Sequence, residues 1–366
     1  MSISTVEDAR RVLEWQMLFP TEERLLMATP TPANRPSPEH IFNALNAYHQ
    51  SAALKTGIDL DIFTAIGEGA NTSATLAAKI GAAERGARIL CDYLTIQGFL
   101  TKEAGRYSLS QESAIFLDRR SPACLAPMAN FLDNELNKRN FAALTDAVRK
   151  GGTAGDHGDN TKSNDELWVN FARSMAPLTK PSAEFIARLT GAPDGKSCKV
   201  LDIAAGHGMY GITIAKHNPN ARIVALDWPQ VLEVAQENAT KFGVAERFST
   251  RPGSAFETDL GADYDLVLLT NIFHHFDIPT CETLMRRVHA ALKPGGKAVT
   301  LEFVPNEDRV TPPTTAAFSL IMLAGTDAGD AYTFSEYEKM FANAGFGKTS
   351  LHPVPEMPQQ VLVSER

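Results

Sequence analysis

The sequence has few cysteines and no long apolar segment. Only four cysteines occur among 366 residues, and no two of them form a CxxC pair. We therefore expect reduced, buried thiols of a cytoplasmic protein rather than disulfides or a zinc site. No apolar run is long enough to cross a bilayer, and the polar stretch 1–11 lacks the apolar centre of a signal peptide. These absences disfavour a membrane protein and a secreted disulfide-rich protein.

An excess of positive charge is also missing. The formal net charge is −8, with 43 acidic and 35 basic residues. Such a balance disfavours general binding to nucleic acids. The chain is 44% hydrophobic, which is typical of a soluble globular protein, and it is long enough for two or three domains.

Residues 199–211, which read KVLDIAAGHGMYG, combine an apolar run with a glycine-rich turn. The β-branched run predicts a buried parallel strand, and the residues after the turn predict the start of a helix. Strand, turn and helix in this order present the backbone to a nucleotide-like ligand. A second apolar run, 222–226, ends at Asp227. Asp227 lies 19 positions after Gly208, close to the spacing at which a carboxylate meets ribose hydroxyls.

Two cofactors are compatible with this turn. The glycines at 206, 208 and 211 would, on their own, fit a dinucleotide. The carboxylate of Asp202 would repel the pyrophosphate of NAD, however, whereas it suits the sulfonium and ammonium groups of S-adenosylmethionine. Asp202 followed by Ala204, Gly206 and Gly208 resembles the first motif of class I S-adenosylmethionine-dependent methyltransferases, which usually has glycine in place of Ala204. We therefore predict S-adenosylmethionine as the cofactor, and no metal.

The chain divides into four predicted segments. Residues 1–37 form a helical arm, 38–120 a winged-helix domain, 121–190 a helical connection that contributes to the substrate pocket, and 191–366 the catalytic domain. Four helices and a hairpin are predicted in the second segment. Its last helix and its wing carry few basic residues, so nucleic-acid binding is not expected. A surface loop is predicted at 151–164.

From residue 199 the pattern alternates between strand and helix, which predicts a parallel α/β sheet. Seven strands are predicted, at Val200–Ile203, Ile223–Leu226, Arg247–Thr250, Tyr264–Leu269, Lys297–Phe303, Lys348–His352 and Gln360–Val363.

Three motifs resemble one enzyme family in order and spacing. They are DLVLLTNIFHHF at 265–276, LKPGGK at 292–297 and LEFVP at 301–305. They are similar to those of the small-molecule O-methyltransferases of the caffeic acid and hydroxyindole type. The resemblance implies an α/β fold, in which a seven-stranded Rossmann-like methyltransferase domain follows a mainly helical winged-helix dimerisation domain. It further implies a homodimer formed through the N-terminal domain and methyl transfer to a hydroxyl of a small aromatic molecule.

The resemblance assigns the catalytic roles to His274 and Glu302. A phenol has a pKa of about 10 and imidazole of about 6.5, so histidine is the available base near neutral pH. The resemblance gives Glu302 the task of orienting His274, as in other bases held by a third group. The adjacent His275 is expected to be structural.

The remaining predicted site residues bind the cofactor or the acceptor. In the family an acid holds the adenine amine where this chain has Ser254. We predict a cofactor site formed by Asp202, Ala204, Gly206, Gly208, Asp227, Trp228, Ser254, Ala255 and Asn271. We predict a substrate pocket walled by Met128, Phe131, Phe171, Met175 and Met322.

One departure from the family leaves other functions open. Plant members carry a second acid near the histidine, where this chain has Ala331, with Asp330 shifted by one position. An enzyme of the same fold that methylates nitrogen or carbon, or that does not methylate, is therefore a second hypothesis. A winged-helix regulator that senses the cofactor is a third, which the scarcity of basic residues disfavours. The identity of the acceptor is not predicted.

Overall fold

The computed structural model describes residues 36–155 and 165–366. The arm predicted over 1–37 falls outside them except for its last two residues, and so does most of the loop predicted at 151–164. The chain divides into one unit that ends at Ala52 and a second that begins at Ala53. Helix α1 (Glu39–Asp59) begins in the first unit and ends in the second. Within the first unit, α1 exposes four large apolar side chains, those of Ile41, Phe42, Leu45 and Tyr48.

The first part of the second unit contains the predicted helices and hairpin. Its elements are α2 (Ile62–Gly67), α3 (Ser73–Ile80), α4 (Glu84–Ile96), β1 (Leu100–Glu103), β2 (Arg106–Leu109) and α5 (Gln111–Phe116). Helix α3 begins with a capping box between Thr72 and Thr75 and ends at Gly81, whose φ of 67° is left-handed. Ile62, Phe63, Leu76 and Leu94 are fully buried between these elements.

Short helices follow before the large sheet begins. They are α6 (Met128–Leu132), α7 (Glu135–Ala142), α8 (Leu144–Lys150), α9 (Asp165–Met175) and α10 (Lys180–Leu189), with a 3₁₀ turn between the last two. Helix α9 packs through Trp168, Val169 and Ala172 on a helix of the catalytic domain. This contact places α9 over the sheet edge where the candidate site lies.

The second half of the chain forms the predicted seven-stranded sheet. Its strands are β3 (Cys198–Ile203), β4 (Ala221–Asp227), β5 (Phe248–Pro252), β6 (Tyr264–Thr270), β7 (Leu292–Glu302), β8 (Thr349–Pro353) and β9 (Gln360–Glu365). They lie in the order β5-β4-β3-β6-β7-β9-β8, and β9 runs opposite to the other six strands. The predicted α/β fold class, with its preceding helical region, is confirmed.

This half of the chain also contains helices. They are α11 (Met209–His217), α12 (Pro229–Lys241), α13 (Ile278–Ala291), α14 (Pro313–Ala316), α15 (Phe318–Gly325) and α16 (Phe334–Asn343). Helices α11 and α12 pack with the strands in one hydrophobic cluster, and α13 and α16 pack with them in a second. Helices α14 and α15 were not predicted. The sequence of α15, FSLIMLAG, is a short apolar run, and such a run cannot be assigned to helix or strand by periodicity.

Candidate active site

The glycine-rich turn after β3 has the backbone geometry of a ligand-binding loop. Ala204, Gly206 and Gly208 all have a left-handed φ, between 53° and 72°. For Ala204 this conformation is strained, which explains why glycine suits the position better. Gly211 faces the strand closely, since an added Cβ would lie 2.6 Å from Cγ2 of Ile223. The turn therefore places backbone that carries few side-chain atoms at the carboxyl ends of the strands.

Asp227, at the end of β4, is held in place by two backbone groups. Its Oδ2 accepts a hydrogen bond from the N–H of Gly206 (2.8 Å), and its Oδ1 accepts one from the N–H of Trp228 (2.7 Å). Burial raises the pKa of Asp227 to about 6. The carboxylate thus links the glycine turn to the start of α12 and faces the cavity described below.

Asp202, near the end of β3, is fully buried. Its Oδ2 accepts a hydrogen bond from the N–H of Gly211 (3.1 Å), whereas its Oδ1 has no partner among residues 36–155 and 165–366. Burial, together with the nearby Asp227 and against the hydrogen bond from Gly211, raises the pKa of Asp202 to about 8. A buried carboxyl oxygen without a partner beside a ligand cavity is what a cationic ligand would satisfy.

A cavity opens over the turn between β4, β5 and β6. Seven of the nine predicted cofactor residues line it, namely Ala204, Gly206, Asp227, Trp228, Ser254, Ala255 and Asn271. The other two, Asp202 and Gly208, are not part of its wall. Trp168 and Phe171 of α9 close its far side.

Of the five predicted substrate residues, only Phe171 lines this cavity. Phe131 lies behind it, with its ring 5.0 Å from that of Phe171 in an edge-to-face contact. Met128 begins α6, Met175 ends α9, and Met322 is buried within α15. The structure therefore brings the two phenylalanines together beside the cavity but does not join the three methionines to its wall.

The predicted base and its partner are in direct contact. Glu302, at the end of β7, is fully buried, and its Oε2 lies 2.5 Å from Nδ1 of His274. Its Oε1 accepts hydrogen bonds from the N–H groups of Ile272 (2.9 Å) and Phe273 (2.8 Å). One carboxylate thus holds both the imidazole of His274 and the backbone that carries it.

His275, which we expected to be structural, lies in the cavity wall, whereas His274 lies behind it. The two rings are 4.3 Å apart, and the His275 ring also meets Trp168 edge-on at 5.4 Å. The Nδ1 atom of His275 is buried and has no hydrogen-bond partner in the part of the chain that the structure describes. Burial, and then the neighbouring His274, hold the pKa of His275 well below 6.5, so this ring is neutral near pH 7.

Two further cavity residues, His207 and Tyr210, were not predicted. Both are buried, and their rings lie 5.7 Å apart. The hydroxyl of Tyr210 lies 3.3 Å from that of Ser182 on α10. A histidine between the two glycines of the turn was visible in the sequence, and its position could have marked it as a ligand contact.

The segment with the missing second acid lies beside His274. Ala331 is buried and offers no polar group, while Asp330 pairs with the guanidinium of Arg309 at 3.0 Å. The backbone of Gly329 lies against that of His274. The shifted acid is therefore engaged with an arginine, and in the described part of the chain Glu302 is the acid whose carboxylate is bonded to His274.

The residues present fit S-adenosylmethionine. Within residues 36–155 and 165–366, no group of three or more His, Cys, Asp or Glu side chains could hold a metal. Asp227 faces the cavity, and Asp202, with its unpartnered oxygen, lies just behind the turn. Two carboxyl groups at the turn suit a positively charged cofactor, whose charge would itself favour their ionised forms. No helix of the described chain is long and apolar enough to span a membrane.

Two family models match the chain. The O-methyltransferase domain matches residues 194–347, and the O-methyltransferase dimerisation domain matches residues 42–119. A Nostoc punctiforme crystal structure described as that of an O-methyltransferase is 51% identical, with a TM-score of 0.87, over 91% of this chain and all of that chain.

Characterised relatives cover most of the chain at lower identity. The tetracenomycin polyketide synthesis 8-O-methyl transferase of Streptomyces glaucescens is 27% identical over 84% of this chain and 91% of its own length. The S-adenosylmethionine-dependent methyl transferase PigF of Serratia is 25% identical over 88% and 94%, respectively. The structure of PigF with S-adenosylhomocysteine superposes with a TM-score of 0.79 over 90% of this chain and all of that chain, at 25% identity. The chain is thus a transferase that uses S-adenosylmethionine, and it belongs to the class I small-molecule O-methyltransferases with an N-terminal dimerisation domain.

Proposed function

We propose that the protein transfers a methyl group from S-adenosylmethionine to a hydroxyl of a small aromatic molecule, with His274 as the general base. The observation that carries this proposal is the 2.5 Å contact between Nδ1 of His274 and Oε2 of Glu302. An ionised carboxylate only accepts hydrogen bonds, so Nδ1 carries the proton and Nε2 keeps its lone pair. Nε2 is therefore the atom that takes the hydroxyl proton.

The cofactor supplies a methyl group on a positively charged sulfur, which is a good leaving group. The protein holds the acceptor in line with that methyl and removes its proton. Glu302 prevents rotation of the imidazole and stabilises the imidazolium that forms. Because Oε1 of Glu302 also accepts from Ile272 and Phe273, the base is fixed before the acceptor binds.

The placement of the cofactor in the cavity is part of the proposal. Asp227 faces the cavity at the end of β4, where its carboxylate would accept hydrogen bonds from the ribose hydroxyls. Trp228 would stack on the adenine, and Ser254 would accept from its amine. The unpartnered Oδ1 of Asp202 supports a cationic ligand at the turn.

The cavity wall supports an aromatic acceptor. Trp168, Phe171, His275 and Phe276 all contribute rings to it. Trp168 meets Phe171 edge-on at 5.8 Å and His275 at 5.4 Å, so these rings form a continuous apolar surface. A flat, largely apolar molecule with one polar edge would suit such a wall.

We also propose a cytoplasmic homodimer that forms through the N-terminal domain. The match to a dimerisation domain at 42–119 supports this assembly, as do the exposed apolar side chains of α1. The four cysteines are free thiols, as a reducing compartment would keep them.

A second candidate is methyl transfer to nitrogen or carbon. It is favoured by the position of His274, which lies behind His275 rather than in the cavity wall, and by the buried Ala331 in place of a second acid. An acceptor that needs no strong base would tolerate both features.

The deciding experiment is a methyl-transfer screen with S-adenosylmethionine labelled on the methyl group. The panel should pair each phenol with its aniline and with its already O-methylated form. Label incorporated only into free phenols, and lost in His274→Ala, would support the proposal. Label incorporated into the anilines or into the blocked phenols would favour the second candidate.

A further inference from the structure

The cavity lacks a cation for the anionic end of its proposed ligand. No lysine or arginine lines it within the described chain, whereas Asp227 faces it and Asp202 lies just behind the turn. The amino-acid tail of S-adenosylmethionine carries a carboxylate as well as an ammonium group. A carboxylate placed close to these two acids needs a hydrogen-bond donor of its own.

The backbone of the turn has few donors to spare. The N–H of Gly206 is bonded to Asp227, and that of Gly208 to the carbonyl of Ala205. The N–H of Gly211 is bonded to Asp202. These three N–H groups are therefore not available to an anion near the turn, and a side-chain donor would add to its binding.

Other polar side chains of the cavity belong to other segments. Asn271 and Ser254 follow β6 and β5, and the hydroxyl of Tyr210 is within hydrogen-bond distance of Ser182. Within the turn itself, residues 204–208, His207 is the one polar side chain, and its imidazole can present a donor to a ligand.

The hydrogen bonds of His207 fix where its proton lies. Its Nδ1 accepts from the N–H of Met209 at 3.1 Å, so the proton of the neutral ring is on Nε2. Nε2 has no hydrogen-bond partner among residues 36–155 and 165–366. Burial lowers the pKa of His207 to about 4, which keeps the ring neutral. The ring is buried and lines the cavity beside Gly206.

We propose that the Nε2–H group of His207 donates a hydrogen bond to the carboxylate of the amino-acid tail of S-adenosylmethionine. This role rests on the proposed placement of the cofactor in the cavity. The two acids then attract the positive groups of the cofactor, and His207 accommodates its negative group without adding a charge. His207 makes the site selective for a ligand with an intact amino-acid tail.

Two substitutions separate the two nitrogens of His207. In His207→Asn the amide oxygen can still accept from the N–H of Met209, as in an Asx turn, but the donor at Nε2 is lost. In His207→Gln the longer side chain carries its amide N–H about as far as Nε2, but the acceptor at Nδ1 is lost. Thermal unfolding of both variants checks that the fold is kept.

The test is titration calorimetry with two ligands, S-adenosylhomocysteine and its analogue that lacks only the carboxylate. The wild type should prefer S-adenosylhomocysteine, because a hydrogen bond to a charged group corresponds to about 10- to 100-fold in affinity. In His207→Asn this preference should disappear through weaker binding of S-adenosylhomocysteine, with the analogue changed less than about 2-fold. His207→Gln should keep most of the preference.

The proposal is overturned if His207→Asn lowers the affinity for both ligands by the same factor, or if it keeps the wild-type preference. It is also overturned if His207→Gln loses the preference as fully as His207→Asn does. Asp227→Asn separates this result from a failure of the proposed function. This substitution should lower the affinity for both ligands by a similar factor, because both contain the ribose. Unchanged binding of both ligands in Asp227→Asn would show that the cofactor lies elsewhere, and the role of His207 would fall with that placement.

Discussion

The backbone of Gly329 lies directly against that of His274. A Cβ added to Gly329 would be 2.2 Å from the carbonyl oxygen of His274 and 2.9 Å from the carbonyl carbon of His275. Neither contact can be relieved by a side-chain rotation, because both involve backbone atoms. The absence of a side chain at Gly329 is therefore a condition for the observed position of His274.

Gly329→Ala should accordingly displace His274 and lower turnover. A shift of about 1 Å in a catalytic group can cost about 100-fold in rate. Affinity for S-adenosylhomocysteine should stay within a few-fold, because the glycine turn is elsewhere on the sheet edge. Steady-state kinetics and calorimetry measure the two effects. Gly86→Ala, where an added Cβ meets no atom within 4 Å, is the matched control. Wild-type turnover in Gly329→Ala would contradict the expectation.

Replacing His274 by alanine should lower turnover by about 10²- to 10⁴-fold, the usual effect of a positioned base. Binding of S-adenosylhomocysteine should remain nearly unchanged, since His274 does not line the cavity. Steady-state kinetics of both proteins, with calorimetry of S-adenosylhomocysteine binding, test this. Near-wild-type turnover would mean that the acceptor needs no base.

Glu302→Gln should reverse the tautomer of His274. The amide oxygen of the glutamine can still accept from Ile272 and Phe273, which leaves its NH₂ group facing Nδ1. Nδ1 must then act as an acceptor, so the proton moves to Nε2 and the base is lost. Turnover should fall about as far as in His274→Ala.

Nitrogen-15 NMR of the labelled imidazole distinguishes the two tautomers of His274 directly. The wild type should show the proton on Nδ1 and Glu302→Gln should show it on Nε2. An unchanged tautomer together with unchanged turnover would remove Glu302 from the mechanism.

Asp202→Asn should change how stability depends on pH. The folded protein keeps the proton of Asp202 up to about pH 8, whereas an aspartate in the unfolded chain releases it near pH 3.8. Between these two values the folded state binds more protons, so ionisation of this group lowers the stability as pH rises, by about 1.4 kcal/mol per pH unit. Asparagine cannot ionise and avoids this loss.

The variant should therefore gain stability over the wild type as the pH rises from 4 to 8. Chemical denaturation of the ligand-free proteins at pH 5 and pH 8 measures this difference. Asp265→Asn, near the amino-terminal end of the neighbouring strand β6, controls for the loss of one acidic group. A difference between Asp202→Asn and the wild type that does not grow with pH would show that the buried carboxyl is ionised throughout.

The sequence predicted the parts of the fold that follow from the spacing of apolar residues and from residues typical of turns. The apolar runs that end at Ile203 and Asp227 could be assigned because buried parallel strands are short, β-branched and bounded by glycine. The contact between His274 and Glu302 follows from the rule that neighbouring strand ends meet at one sheet edge. Helix α15 could not be assigned, because its eight residues carry no capping signal.

The composition of the cavity wall was harder to predict than its location. His275 and not His274 lies in the wall because the 3₁₀ turn at 273–275 rotates adjacent side chains to different directions. The substrate methionines were chosen for their apolar spacing, which marks burial in general and not burial beside a ligand. Local sequence patterns therefore identified the edge of the sheet at which the candidate site lies. The packing of α9 on the catalytic domain decides which aromatic rings form the wall of the cavity.

The four apolar side chains that α1 exposes in a single chain have a consequence for dilute solutions. If a second chain covers Ile41, Phe42, Leu45 and Tyr48, part of the folding free energy becomes a function of protein concentration. Melting temperature would then rise with the amount of enzyme in the sample, and specific activity would fall on dilution below the dissociation constant of the pair. Mass action would thus set a minimum working concentration for this enzyme.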